Sequence, residues 1–141
     1  MENIDKKILG AGGENADGKL MIFGIPERHP KGWGYEDWIA NGEQYCGKLL
    51  HFFKGKKFSI HYHKIKDETF YLNSGRLEVM LADTPEAYEH GEIQMAVMEP
   101  GSSLYIYPRR VHQVRALEES DMFEFSTHHE ESDSYRIEKG D

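Results

Sequence analysis

Hydrophobic positions along this chain come in short runs that alternate with polar ones. The stretches "WGYEDWIA" and "EQYCGKLLHFF" flank Asn41-Gly42, and an Asn-Gly pair between two aromatic, β-prone stretches predicts a hairpin. "KFSIHYH" follows Gly55, "ETFYLNS" comes after a polar connection, and "RLEVMLA" follows Gly75. "IQMAVME", "SLYIYP", "HQVRAL" and "DMFEFST" continue the series. About nine β-prone runs are separated by turn residues, and no segment of helical length carries a 3.6-residue period. The pattern predicts an all-β sandwich or barrel.

The rest of the chain reads as connections. Residues 1–32 form an N-terminal arm and loop, with a Gly- and Asn-rich loop over 10–18 and a short apolar run over 20–25 suited to an edge or swapped strand. "PERHPKG" (26–32) reads as a loop, and "DTPEAYEHGE" (83–92) as a loop with room for one helical turn. The barrel itself spans 33–128, and 129–141 reads as a polar tail, with His128 and His129 an exposed pair at the junction.

Composition narrows the function classes. At 141 residues the chain has enough material for one core. A net charge of −8 without clustered basic residues argues against a nucleic-acid partner. No apolar run approaches bilayer length, and "MENIDKKILGAGG" lacks a secretory apolar core, so a cytoplasmic protein without membrane contact is expected. Cys46 is the single cysteine, which excludes an internal disulfide or a zinc site built on several thiolates; a small buried residue is expected there.

Candidate chemistry begins at "SIHYHKIKDETFYLNSG". Alternate strand residues share a face, so His61 and His63 point one way, Ile60 and Tyr62 the other. Two imidazoles at that spacing can converge on one metal ion, and Glu68 opens the next β-prone run after "KIKD". By the same parity Ser59, Phe70, Leu72 and Val114 face inward with the ligands, and Glu124 faces opposite to Phe123 and Phe125. A carboxylate inside needs a partner or a task. Lys48, in mid-strand, needs an anion for the same reason. Trp33, Tyr35 and Trp38 read as packing aromatics.

The spacing continues beyond the histidine pair. Gly55, five residues, His61, one residue, His63, four residues, Glu68, six residues and Gly75 together resemble the first motif of the cupin family. "GSSLYIYPRRVHQVRA" is similar to the second, with Gly101 and His112 in register; Tyr107 holds the proline position, Arg109 the glycine position and Ala116 the asparagine position. The resemblance spans Gly55 to His112. It implies a single-domain jelly-roll barrel, the double-stranded β-helix, in which His61, His63, Glu68 and His112 hold a divalent metal ion: Zn, Mn, Fe or Ni. Such a set leaves coordination positions open, as catalytic sites do. Cupin loops approach the barrel mouth just before the last histidine, which makes Tyr107, Arg109 and Arg110 candidates for substrate contact.

"KGWGYEDWI" before the first motif and "FEFSTHHEESDSYRIEKGD" after the second are similar to the layout of type II phosphomannose isomerase domains, with Arg136 as the late arginine. That similarity implies a sugar or sugar-phosphate isomerase working through a metal-stabilised enediolate. Glu124 or Lys48 would move the proton, and Arg109, Arg110 or Arg136 would hold a phosphate. The same ligand set also serves iron-dependent cupin dioxygenases and non-catalytic sugar-binding cupins. A homodimer is expected from the apolar outer face and the N-terminal arm.

Overall fold

Strands whose side chains alternate inward and outward, most regularly over Cys46–Phe52 and Glu68–Ser74, build two antiparallel sheets. The computed structural model describes residues 24–141, together with the backbone of two short strands before them. Those are β1 (Gly13–Glu14) and β2 (Leu20–Met21), which pair with each other. The six-stranded sheet contains β3 (Glu27–Lys31), β4 (Gly34–Asn41), β5 (Cys46–Phe52), β7 (Glu68–Ser74), β10 (Ser103–Ile106) and β12 (Ser120–Ser126), in the order β10-β7-β12-β5-β4-β3. The five-stranded sheet contains β6 (Ile60–Tyr62), β8 (Leu77–Ala82), β9 (Gln94–Met98), β11 (Val111–Ala116) and β13 (Tyr135–Glu138), in the order β13-β6-β11-β8-β9. The fold is an all-β jelly roll, as the sequence pattern predicts.

The core lies between the sheets. Leu50, Phe52, Phe70, Leu72 and Met122 from one meet Leu77, Val79, Val114 and Ala116 from the other, and all are buried. Each such leucine or phenylalanine contributes roughly 1.5–3 kcal/mol relative to exposure. On β5, Cys46, Lys48, Leu50 and Phe52 all point inward, so the period of two carries a lysine into the interior along with the apolar residues. Behind the five-stranded sheet a second cluster of Ile60, Met80, Ala82 and Val111 packs under Tyr62 and Tyr88. Tyr88 belongs to α1 (Pro85–Glu89), the one turn expected in that loop, capped by Thr84 Oγ1 accepting from Ala87 N at 3.0 Å.

Several expectations hold in detail. The Asn41-Gly42 pair does end a strand, and β4 pairs with β5, although the connection extends over Gly42–Tyr45 with Gly42 N donating to Tyr45 O at 2.9 Å. Trp33 is buried and stacks on Phe52 at 4.6 Å. Phe125 is on the outer face, 56% exposed, beside Phe123.

Two segments differ from the sequence reading. Residues 26–32 are not a loop: Glu27–Lys31 is β3, an edge strand that tolerates Pro30 because only one side of it pairs. Nor is 129–141 a solvated tail. It carries a 3₁₀ turn at Glu131–Asp133 and then β13, which pairs with β6. The apolar run over 20–25 supplies β2, and the loop over 10–18 falls outside the described residues apart from β1. Among the described residues no helix is long and apolar enough to cross a membrane.

Candidate metal centre

The centre is assembled from three neighbouring elements. His61 on β6 sits directly opposite His112 on β11, and His63 follows β6 immediately. The candidate ligand nitrogens of the three rings lie within 4.8 Å of one another. Glu68, the first residue of β7, brings Oε2 to 3.6 Å from His63 Nε2 and Oε1 to 3.6 Å from His112 Nε2. The four residues named from the sequence therefore meet at one place.

Backbone carbonyls orient the rings. Nδ1 of His61 lies 3.0 Å from Ser59 O, Nδ1 of His63 lies 3.0 Å from Asp133 O, and Nδ1 of His112 lies 2.9 Å from Arg110 O. A carbonyl only accepts, so each Nδ1 carries the proton and each Nε2 keeps its lone pair. Burial keeps the rings neutral. It lowers His63 to about 3 and His112 well below the ordinary imidazole value, and the neighbouring imidazoles push in the same direction. For His61, burial lowers the value to about 4. Neutral imidazole is the form that binds metal.

His112 Nε2 is buried with no hydrogen-bond partner, and Glu68 Oε2 is buried with only the Lys66 ammonium 3.3 Å away. An orphan such as the His112 nitrogen costs about 1–3 kcal/mol unless something satisfies it. A lone pair and a carboxylate oxygen aimed together suit a cation. The histidine cluster can hold a divalent metal ion, and Glu68, 3.6 Å from two of the rings, would add a carboxylate oxygen to such a set.

Beside the ligands is a buried charged group that sequence reading missed. Lys66 Nζ lies 2.6 Å from Glu124 Oε2, 3.3 Å from Glu68 Oε2 and 3.0 Å from His129 Nδ1. Burial alone would discharge this ammonium, but Glu68 and Glu124 hold it well above the ordinary lysine value. Burial likewise opposes the charge on Glu124, and Lys66 and Lys48 overcome it and keep the carboxylate ionised. Ser126 Oγ donates to Glu124 Oε2 at 3.1 Å. Glu68, between the rings, is pushed upward by burial first and by Glu124 second, against the pull of Lys66.

A cavity of about 330 Å³ opens over this arrangement, lined by His61, His63, Lys66, Glu68 and Glu124 at the centre. Lys48 reaches it as well. Its Nζ pairs with Glu36 Oε1 at 3.1 Å and stands 4.6 Å from the Trp38 ring, which answers the need for a buried partner. Arg136, facing His61 across the β6–β13 pairing, lines the wall. Ser59 and Phe70 line the cavity as parity predicts, whereas Leu72 and Val114 lie in the core.

Tyr107, Arg109 and Arg110 do not line the cavity. The turn before β11 sends their side chains outward, toward the connection after β8. Tyr107 Oη donates to Asp83 Oδ1 at 2.9 Å, Arg109 Nη2 to Glu86 Oε1 at 3.1 Å, and Arg110 Nη1 to Tyr105 O at 2.8 Å. Their backbones serve the site instead. Arg110 O orients His112, and Arg109 N donates to His63 O at 2.6 Å while Arg109 takes φ 72°, a glycine-like conformation. The side chain in the glycine position is carried outward while the backbone keeps the bend.

Lys66 and His129 left faint signals. Lys66 has the parity of Glu68, two positions on, so "KIKD" is more than a polar connection. His129, expected to be exposed, is 9% exposed in its side chain and packs edge-on to Trp38 at 5.3 Å.

No family model matches this chain, and no curated protein matches it by sequence. Solved structures do. KdgF from Halomonas sp. superposes with a TM-score of 0.63 at 17% identity, over 75% of this chain and 91% of that one. Oxalate decarboxylase from Bacillus subtilis gives 0.67 at 19% identity, over 79% of this chain but only 30% of the decarboxylase. A structure of the same enzyme, studied for its Mn(II) centers, gives 0.66 at 19%. At these identities the likeness is one of architecture. Together with the jelly-roll topology and the spacing from Gly55 to His112, it gives this chain the fold of the cupins.

Proposed function

We propose that this protein is a metal-dependent enzyme of small hydroxylated substrates, a sugar or sugar-phosphate isomerase. The observation that carries the reading is the buried Lys66 ammonium between Glu68 and Glu124, beside the histidine cluster and within the cavity wall. His61, His63, His112 and Glu68 hold the metal in this reading. When bound, a divalent ion supplies Lewis-acid polarisation of a substrate carbonyl.

The chain's own groups do the proton work. Both hydrogen bonds to Glu124 fall on Oε2, which leaves Oε1 to take a proton from the carbon next to the carbonyl and return it one carbon along. Lys66, whose three N–H groups already face Glu124, Glu68 and His129, acts as a fixed positive charge that favours negative charge developing on substrate oxygen. Lys48 is committed to Glu36, so its part is electrostatic: it helps keep Glu124 ionised. Arg136 is one of the cationic groups in the wall, with Lys31 and Lys139, and its guanidinium suits a phosphate or a ring of hydroxyls. A cavity of about 330 Å³ suits a substrate of that size, and the decarboxylase of similar architecture acts, by its name, on a small polar molecule.

The test is turnover of a panel of ketoses, aldoses and their phosphates by metal-loaded protein without oxygen. Interconversion is the expected result. Glu124→Gln is expected to retain metal and lose about 100-fold or more in kcat; full activity would remove Glu124 from the mechanism. Substrate-dependent oxygen uptake would replace the isomerase with a dioxygenase, and sugar binding with neither reaction would leave a binding module.

A further inference from the structure

Asp133 stands seventy positions from His63 in sequence and touches it in space. It is 7% exposed. Its Oδ1 accepts from Lys64 N at 2.9 Å and Ile65 N at 3.1 Å, and its Oδ2 from Lys66 N at 2.9 Å. Successive amides turned onto one carboxylate make a concave anion nest. The same residue's carbonyl holds Nδ1 of His63 at 3.0 Å. One aspartate thus grips both a candidate ligand and the three amides after it, in the loop that runs from His63 through Lys66 to Glu68. Its neighbours in sequence reinforce the grip. His129 Nδ1 meets Lys66 Nζ, and Arg136 pairs across from His61.

We propose that Asp133 is a positioning residue for the metal centre, and that docking of Glu131–Glu138 and metal binding stabilise each other. The inference rests on the metal site of the preceding reading and not on its isomerase chemistry. Without its carboxylate, the loop that spaces His63 from Glu68 loses its anchor, and the Asp133 carbonyl that orients His63 Nδ1 is no longer held in place. Groups that support a ligand from behind are typically worth about 10–100-fold in metal affinity. Binding free energies are reciprocal, so the metal must hold the segment as firmly as the segment holds the ligand.

The experiment is competition for Zn²⁺ between a chromogenic chelator and purified protein, comparing the native chain with Asp133→Asn and Asp133→Ala. Stability is followed in parallel by urea unfolding in excess EDTA. Folded Asp133→Asn is expected to bind Zn²⁺ about 10-fold more weakly, and Asp133→Ala up to about 100-fold. A purely structural role would lower the urea midpoint and leave the Zn²⁺ affinity of the folded variants unchanged; that result overturns the proposal. Hydrogen exchange on the native chain decides the matter should the variants fail to fold. The amides of Lys64, Ile65 and Lys66 are expected to exchange at least about 10-fold more slowly with Zn²⁺ than with EDTA, and equal rates overturn the proposal. A native chain that binds no Zn²⁺, Mn²⁺, Fe²⁺ or Ni²⁺ overturns the metal site itself, a distinguishable failure.

Discussion

His63 and His112 are the two imidazoles most thoroughly removed from water, 5% and 0% exposed, and both are held neutral by that removal. Their depressed values have a consequence for the metal-free protein. Below the ordinary imidazole value near 6.5 the unfolded chain takes up protons that the folded chain refuses until about pH 3 in the case of His63. Stability must therefore fall as pH falls through that window. Glu68, pushed upward, works in the opposite direction, but it is one carboxyl against three imidazoles. The expected outcome is a lower urea midpoint in EDTA at about pH 5 than at about pH 7.5. A flat or inverted profile would mean that these rings are hydrated. Lys66 belongs at this scale too. Removing a buried ion's partner costs about 3–5 kcal/mol, which makes Lys66 as much a structural necessity as a chemical one.

At the scale of elements, the turns that bracket the histidine motif divide into two kinds. Gly55 and Gly75 both adopt positive φ, 82° and 93°. Around Gly55 a Cβ would meet open space, whereas at Gly75 it would strike Ser120 and the carbonyl of Glu119. Gly55→Ala is therefore expected to cost about 1 kcal/mol from backbone strain alone, and Gly75→Ala about 2 kcal/mol or more, as read from urea midpoints of the two variants. Equal costs would show that the β7–β8 turn yields to the added carbon. The same elements show what was legible in sequence. Period-two alternation placed His61, His63, Glu68 and Glu124 on inward faces because a strand leaves its side chains no other choice. It was silent on β13, where a strand of mostly exposed residues carries no apolar signature. The motif resemblance that points to Tyr107, Arg109 and Arg110 cannot say which way the turn sends their side chains, and in the structure they lie outside the cavity lining, with Arg109 at φ 72°.

For the whole molecule, a metal bound at the histidine cluster would act as a stabilising ligand. A ligand at one hundred times its Kd stabilises the folded state by about 2.7 kcal/mol, which for a chain of this size raises Tm by about 5–11 °C. Chelation should reverse that shift. His61→Ala combined with His63→Ala should bind no stoichiometric metal and show no difference between metal and EDTA, as followed by elemental analysis and thermal melts. A variant that keeps both metal and shift would place the ion elsewhere. Residues distant in the chain are what makes the site a property of the molecule. His112 comes from one motif, the histidine pair from another, and His129, Asp133 and Arg136 from a segment whose composition reads as solvent-facing. The motif resemblance names His112 and Arg136, whereas the long-range contacts of His129 and Asp133 leave no local pattern to read.

The order of synthesis gives the Asp133 clasp a further meaning. A ribosome translating this chain has already made His61, His63, Glu68 and His112 before it adds Glu131–Asp133 and the strand that follows. A nascent chain that has reached Ser126 thus carries every candidate ligand, with His61 and His112 already aimed by Ser59 O and Arg110 O, and lacks only the carbonyl that orients His63. On the proposed clasp, an ion caught at that stage would be held less firmly on the His63 side and exchange more readily.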